Sequence, residues 1–302
     1  MSDLPARAVM KQVADAIPVK CRGEMIIVGS LAAAYHFADQ MNGEISTKDV
    51  DGMLSPNAHA VRNGKAIAEQ LLNAGWRQRE DATRPPGNAS TPTEALPFLR
   101  LHPPGNTDWF LELAAAPPPG TTKGKDHHRV SIAVGDFALY CFRFLALAEE
   151  DPLKTEFGIL YARPEMMALA NLLHHPRIAP DLIAGTRDKR SNKDLGRVLA
   201  LAYLAMEQDR EALNTWHPRW LAALRTRFPG EWRDLALRAG DGLRQLIHDD
   251  YKPDLDQATH ICNRSLLRGL DLGTDALRAT ARRVLGESLR PLEDAARAKT
   301  AA

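Results

Sequence analysis

The sequence predicts an α+β fold in which a mixed sheet with flanking helices is followed by a helical bundle. Short apolar runs separated by turn-rich segments dominate residues 1–160, whereas apolar residues recur at helical spacing over residues 161–302. The composition agrees, because 302 residues with 44% hydrophobic and 25% charged side chains are typical of a globular protein. We therefore expect an α/β domain in the first range and an α-helical domain in the second.

The first half contains several apolar runs of strand length. They read EMIIVGS, DVDGML, PFLRL, WFLELAA and RVSIAV in chain order. Residues 81–97 and 117–128 are dense in proline, glycine and small polar residues, so we expect surface loops there.

The second half carries the periodicity of amphipathic helices. One example is the set Leu195, Val198, Leu199, Ala202 and Met206. Helix breakers recur at Pro176, Pro218, Pro229, Pro253 and Gly273. These breakers predict five to seven helices of ordinary length.

Charge, hydropathy and cysteine spacing limit the function classes. The 39 basic and 38 acidic residues leave a net charge of +1, so only a local patch can attract nucleic acid or an anionic membrane. No run of about 18 apolar residues and no secretory leader is visible, which indicates a cytoplasmic protein that does not engage a membrane. The three cysteines show no CxxC spacing, which argues against a zinc ribbon or a disulfide framework.

A glycine-serine turn follows the first predicted strand. Ile26, Ile27 and Val28 suit a buried strand, Gly29 permits a tight turn, and Ser30 stands where a helix N-cap is expected. The free N–H groups and the positive end of the following helix would suit a phosphate. Most turns of this kind serve only chain geometry, so this one needs support from elsewhere in the sequence.

That support comes from Asp49 and Asp51, which flank Val50 in the next apolar run. Side chains two residues apart on a strand point to the same face, so both carboxylates can reach one divalent cation or a pair of them. Without a cation the two charges would repel each other. The alternative is a solvated strand end with no chemical role.

The segment VGSLAAAYHF followed by STKDVD resembles the signature of the polymerase β-like nucleotidyltransferase superfamily. In particular, TKDVD is similar to the motif of bacterial nucleotidyltransferases of the abortive-infection toxin type. The resemblance implies a nucleotidyltransferase fold over the first half, with Gly29 and Ser30 binding the nucleotide and Asp49 and Asp51 binding metal. Ile45 stands where such relatives often carry arginine, so Lys48 is the expected triphosphate contact.

The family pattern also implies a third carboxylate on a later strand. In DWFLELAAAP the alternation places Glu112 beside Phe110 on one face, as a charge in an otherwise apolar strand, whereas Asp108 lies at the strand entrance. Glu112 is therefore the expected third acid, either as a metal ligand or as a general base. The alternative is a surface glutamate at a sheet edge.

A second part of the resemblance lies in the helical half. Such relatives have a proline-started helix and then a Lys-Asp pair that opens another helix, which Lys193 and Asp194 match here. Asn171 stands where they usually carry a lysine. Lys193 is therefore an expected phosphate contact, with a structural alternative in which Ser191 or Asn192 caps the helix.

Other features carry weaker functional signals. The basic cluster Arg187–Lys193, comprising Arg187, Lys189, Arg190 and Lys193, is the best local candidate for binding RNA, although such runs are usually solvated loops. We expect the three tryptophans of the helical half to pack in its core. They are Trp216, Trp220 and Trp232. The pairs His127-His128 and His174-His175 are not expected to bind metal, because adjacent side chains point apart and no carboxylate lies at ligand spacing.

Taken with the resemblance, these residues predict a Mg²⁺- or Mn²⁺-dependent nucleotidyltransferase. It would move an NMP from an NTP to a hydroxyl of an RNA or tRNA end, a protein or a small molecule. A toxin of this type implies an antitoxin partner. Two alternatives are an inactive binding module of the same fold and a metal-dependent phosphohydrolase.

Overall fold

The computed structural model describes residues 4–41, 44–45, 47–81, 83–122 and 124–298. The chain divides into two compact units. The first comprises Met1–Tyr35 and Gly43–Arg163, and the second comprises His36–Asn42 and Pro164–Ala302. A mixed sheet with helices in the first unit and a helical second unit confirm the α+β class.

The first unit contains the strands. They are β1 Leu4–Pro5, β2 Met25–Val28, β3 Glu44–Ile45, β4 Asp49–Leu54, β5 Arg77–Gln78, β6 Arg100–His102, β7 Phe110–Ala115, β8 Lys125–Ile132, β9 Gly135–Phe142, β10 Leu153–Lys154 and β11 Leu160–Tyr161. Its helices are α1 Ala6–Ala16, α2 Gly29–His36, which ends at the unit border, and α3 Asn57–Asn73, with 3₁₀ segments at Val19–Glu24, Thr93–Ala95 and Arg143–Glu149.

Within the described residues, nine strands form one mixed sheet. Its main path runs β10-β11-β2-β4-β7-β6-β5, and β9 joins β8 to β7. Strand β4 pairs antiparallel with β2 and parallel with β7, and β6 pairs antiparallel with β7. The two strands that carry acidic residues, β4 and β7, therefore lie side by side inside the sheet.

One face of this sheet is apolar. The side chains of Val50, Leu111 and Leu113 are fully buried, as are Ile67 and Leu71 of α3. A buried CH₂ group is worth about 0.8 kcal/mol, so this face fixes the strand register firmly. Because side chains alternate along a strand, the register also fixes which residues occupy the opposite face.

The second unit is helical, and its described residues form eight α-helices, which is more than the five to seven that the sequence predicted. Its α-helices are α4 Pro164–His174, α5 Arg190–Gln208, α6 Trp216–Arg227, α7 Trp232–Arg238, α8 Asp241–Ile247, α9 Lys252–Asn263, α10 Thr274–Arg283 and α11 Arg290–Arg297. A π-helical stretch, Val284–Leu289, joins α10 to α11, and 3₁₀ segments lie at Ala212–Thr215 and Asp249–Tyr251. Trp216 and Trp220 are buried as expected, whereas Trp232 keeps partial exposure between the guanidinium groups of Arg225 and Arg233.

Two further sequence expectations concern loops and membranes. The predicted loop 117–128 is wrong at its end, because β8 begins at Lys125 and forms a hairpin with β9 in which Asp126 pairs with Cys141. Polar residues on a partly exposed strand concealed this pairing in the sequence. Among the described helices, none has both the length and the apolar character needed to cross a bilayer.

Candidate functional site

The strand-to-helix turn depends on a glycine at position 29. Gly29 has φ +72°, a left-handed conformation that other residues adopt at a cost. A Cβ atom placed there would lie 2.7 Å from Oδ2 of Asp51. The carboxylate of Asp51 is therefore in contact with the turn, and a side chain at position 29 would have to displace it.

Ser30 is not placed where the sequence predicted an N-cap. Helix α2 begins at Gly29, so Ser30 lies inside its first turn. The positive φ of Gly29 takes the chain directly from β2 into the helix, which leaves no separate capping position. The expected cap at Ser30 is thus wrong, while Ser30 keeps its place at the positive end of α2.

Asp49 and Asp51 lie on the same strand and share one face of the sheet. Asp49 is exposed at the start of β4, and Oγ1 of Thr47 donates a hydrogen bond of 2.8 Å to its Oδ1. Asp51 is half-buried and pairs with Val28, the last residue of β2. The register therefore brings one aspartate against the glycine turn, while Thr47 orients the other.

Glu112 lies directly beside this pair. It is opposite Asp51 in the parallel register of β4 and β7, and it is only 7% exposed. Because β7 pairs on both sides, Glu112 does not stand at a sheet edge. Its carboxylate forms an ion pair with Arg100, the residue opposite it on β6.

The sequence did not single out Arg100 or Tyr140. Tyr140, on β9, is buried, and burial raises its pKa well above the ordinary value. The negative charges of Asp51 and Glu112, the hydrogen bond that Tyr140 gives to Glu112, and the charge of Asp49 raise that pKa further. All three carboxylates thus act on one hydroxyl. Arg100 was recognisable as a lone charge in the run PFLRL, but its partner follows only from strand register.

Basic and aromatic side chains border Glu112 on the same sheet face. The guanidinium of Arg100 lies 5.2 Å from the ring centre of Phe98, and that of Arg79 lies 4.3 Å from the ring centre of Phe110. Arg79, Arg100 and Phe98 line a cavity of about 270 Å³. Cationic groups held over aromatic rings suit an anionic or planar ligand.

The two predicted lysine contacts belong to different units. Lys48 is exposed next to Asp49, and its carbonyl accepts a hydrogen bond from the backbone N–H of Phe110. Lys193 lies in the first turn of α5 in the second unit. Asp49, Asp51 and Glu112 therefore share a sheet face beside Gly29 within the first unit, although their carboxylate oxygens do not all lie within 4.8 Å of one another. Lys193 belongs to the second unit.

The structural alternative to a phosphate contact at Lys193, a helix cap by Ser191 or Asn192, is wrong. Helix α5 begins at Arg190, so Ser191 and Asn192 lie inside its first turn and are fully buried. The Nδ2 atom of Asn192 donates to Asp254 at 2.7 Å and to Gln257 at 2.8 Å. Asn192 thus anchors the start of the helix to α9, and Ser191 bonds to the backbone of Ala179, so neither side chain caps the helix.

The basic cluster Arg187–Lys193 is partly neutralised. Nζ of Lys189 lies 2.6 Å from Oδ1 of Asp254 in an ion pair. Arg190 and Lys193 instead line a cavity of about 400 Å³. Within this cluster Lys189 is therefore paired with an acid, and Arg190 and Lys193 share their cavity with the acids Asp181 and Asp194.

The prediction that His174 and His175 lack a carboxylate partner is wrong. Nε2 of His175 lies 2.9 Å from Oδ2 of Asp194, and Nδ1 of His174 lies 3.7 Å from the same oxygen. Helix α4 ends at His174, so the two rings are not held at the angle of adjacent residues inside a helix, and α5 supplies the aspartate. Burial alone would raise the pKa of Asp194, but the hydrogen bond from His175 and the charges of Arg197 and Lys193 hold that pKa below its ordinary value.

The other histidine pair behaves as expected from a strand. His127 and His128 lie on β8, where adjacent side chains point to opposite faces. The His127 ring stacks 6.3 Å from that of Phe98, whereas Nε2 of His128 lies 3.2 Å from the side-chain nitrogen of Asn57. Among the described residues, the one group of three potential metal ligands whose atoms lie within 4.8 Å of one another is His174, His175 and Asp194.

No protein-family model matches the chain, and no curated protein matches it significantly.

Proposed function

We propose that the first unit carries the active site of a metal-dependent nucleotidyltransferase. The enzyme moves an NMP from an NTP to a hydroxyl acceptor. The observation that carries this proposal is the position of Asp51, which touches the Gly29 turn on one side and is opposite Glu112 on the other. A phosphate-binding turn and a cluster of carboxylates are the two components that this chemistry requires.

The donor set fits Mg²⁺ or Mn²⁺. These ions prefer oxygen ligands, and Mg²⁺ is usually held by one or two carboxylates together with substrate phosphates. Asp49 and Asp51 share a sheet face, and Asp49 is exposed. A divalent ion bound there would offset the negative charge of the triphosphate and of the leaving pyrophosphate.

The remaining groups bind and orient the reactants. The backbone at Gly29 and Ser30, at the positive end of α2, favours the negative charge of a phosphate. Thr47 fixes the carboxylate of Asp49, and Lys48 is an exposed cation beside it. The acceptor hydroxyl attacks the α-phosphate, a P–O bond forms, pyrophosphate leaves, and the hydroxyl proton passes to a carboxylate or to water.

The identity of the acceptor decides which kind of nucleotidyltransferase the protein is in this proposal. An RNA or tRNA end, a protein hydroxyl and a small molecule all suit the reaction. The polar cavity lined by Arg79, Arg100 and Phe98 is also lined by Glu80 and Asp81, so it favours an aromatic acceptor group that can stack more than a strongly anionic one. In this proposal the protein acts as a toxin-type enzyme in the cytoplasm, with an antitoxin as its partner.

The test measures transfer of a labelled NMP from NTP to an acceptor. Purified protein is incubated with each α-labelled NTP, Mg²⁺ or Mn²⁺, and total RNA or protein extract. We expect labelled acceptor together with pyrophosphate, and a loss of about 100-fold or more for Asp51→Asn, since carboxylates that organise charge in the transition state contribute on this scale. Asp108→Asn is the matched control, because Asp108 is an exposed acid near β7 outside the cluster.

The ion pair between Arg100 and Glu112 favours a second candidate, a nucleotide-binding module without catalysis. Arg100 already occupies the carboxylate that the reaction would need as a third acid. This module would bind NTP with Mg²⁺ in a manner that depends on Asp51 but would release no pyrophosphate. Release of orthophosphate with no labelled acceptor would instead identify a phosphohydrolase.

A further inference from the structure

Three side chains in the second unit converge at the end of α4. One ring nitrogen of His174, one ring nitrogen of His175 and one carboxylate oxygen of Asp194 all lie within 4.8 Å of one another. The distances of 2.9 Å and 3.7 Å from the aspartate oxygen to the two ring nitrogens bracket the separation of about 3.3 Å between ligands in a tetrahedral zinc site. The three atoms are therefore spaced as ligands of one small ion.

We propose that His174, His175 and Asp194 bind a transition-metal ion of the Zn²⁺ class. Two imidazoles and one carboxylate are a donor set that Zn²⁺ accepts and that Mg²⁺, which prefers oxygen ligands, does not. All three residues also line the cavity of about 400 Å³. The fourth coordination position faces that cavity, which is the arrangement of sites that bind water or a substrate.

The backbone that carries these ligands is firmly held. A Cβ atom on Gly242 of α8 would lie 2.2 Å from the carbonyl oxygen of His175, so α8 packs closely against the chain at this residue. On the other side, the buried Asn192 ties the first turn of α5, and with it Asp194, to α9. Ligands on a rigid frame lose little entropy when they bind metal, which favours a specific site.

The charges that face the cluster predict what fills the open position. Arg190, Lys193 and Asp181 line the same cavity, and Arg197 acts on Asp194. The nearby cations oppose a bare dication and favour a metal ion that carries an anion. We therefore expect inorganic phosphate in the cavity to strengthen metal binding.

The test is direct metal binding to the full chain. Chelator-treated protein is titrated with Co²⁺, followed by its visible absorption, and with Zn²⁺ in competition with a chromophoric chelator. We expect one equivalent to bind, with the intense absorption of four-coordinate Co²⁺, and tighter binding when phosphate is added. His174→Ala and His175→Ala should each weaken Zn²⁺ binding by about 100-fold, since even outer-shell changes cost 10–100-fold.

Two controls keep the outcome interpretable. His174 is exposed, so its replacement should leave the fold intact, which circular dichroism verifies. His248→Ala is the matched variant, because Nδ1 of His248 lies 3.3 Å from Asp250 outside the three-ligand group found among the described residues. Binding that is unchanged in both His174→Ala and His175→Ala, or less than about 0.1 equivalent in the wild type, overturns the proposal and leaves the cluster as a His175–Asp194 ion pair. Neither result bears on nucleotide transfer in the first unit.

Discussion

Asp51 and Glu112 are direct partners in the parallel pairing of β4 with β7. Their side chains share a sheet face, and the Gly29 turn touches the first while Arg100 pairs with the second. This arrangement places negative charge between the Gly29 turn and a cation. Measurements on the folded protein can test each of these relationships separately.

Replacement of Gly29 by alanine should destabilise the first unit. The left-handed backbone costs a residue with a Cβ atom about 1–2 kcal/mol, and the contact with Asp51 adds to that cost. Urea unfolding measures the change. Gly23→Ala is the control, because a Cβ there meets nothing within 4 Å and its φ is not positive. Equal midpoints for the two variants would show that Asp51 does not contact the turn.

Replacement of Arg100 by methionine should cost more than removal of both charges. The single change leaves the carboxylate of Glu112 buried without its cation, and we expect a loss of about 1–3 kcal/mol because the Arg100 side chain keeps 26% exposure. Arg100→Met combined with Glu112→Gln should recover part of this loss. A double-mutant cycle in urea measures the coupling, and purely additive losses would contradict the ion pair.

Asp136 should make the stability of the first unit dependent on pH. The hydrogen bond from Ser131, followed by the ion pair with Arg129, lowers the pKa of Asp136 below its ordinary value, while burial opposes this effect. A depressed native pKa stabilises the fold above the unfolded value of about 4, and the contribution is lost as the pH falls through the native pKa. Asp136→Asn should therefore lower the urea midpoint at pH 7, and this difference should shrink as the pH falls below about 4. A difference that does not change with pH would exclude this linkage.

The cysteines should react slowly in the native protein. Cys21, Cys141 and Cys262 are buried, and burial raises the pKa of Cys141 and of Cys262 to about 12. At pH 8 the thiolate fraction of Cys141 and of Cys262 is about 10³-fold lower than that of an unperturbed thiol. Alkylation of these two cysteines should therefore slow by a similar factor. A cysteine placed at exposed Ser90 serves as the reactive control. Rapid labelling of Cys262 without unfolding would contradict its burial.

Strand β2, the turn at Gly29 and strand β4 were predictable because their signals are local. Alternating apolar residues and a Gly-Ser pair are visible within a few residues of sequence. The cation on Glu112 was not predictable, because it depends on the register of β6 against β7, which is set by the whole sheet. For the same reason, the sequence gave no sign of a contact between Arg100 and Glu112, which lie 12 positions apart.

The histidine cluster shows a different limit of the sequence. The rule that adjacent side chains point apart holds for His127 and His128 within β8, but it fails where a helix ends, as at His174. The exact end of a helix is the least reliable part of a prediction from sequence. Asp194 then comes from the next helix, so the ligand set exists only in the folded unit.

In the proposed function, Asp49 and Asp51 bind a metal ion together with a nucleotide seated at Gly29. The most direct measurement is the anomalous signal of Mn²⁺ in crystals soaked with Mn²⁺ and a non-hydrolysable NTP. We predict an Mn²⁺ ion within about 2.2 Å of a carboxylate oxygen of both aspartates, with phosphate oxygens at the Gly29 turn. Nucleotide bound elsewhere, with both aspartates facing solvent and no metal between them, would contradict the claim.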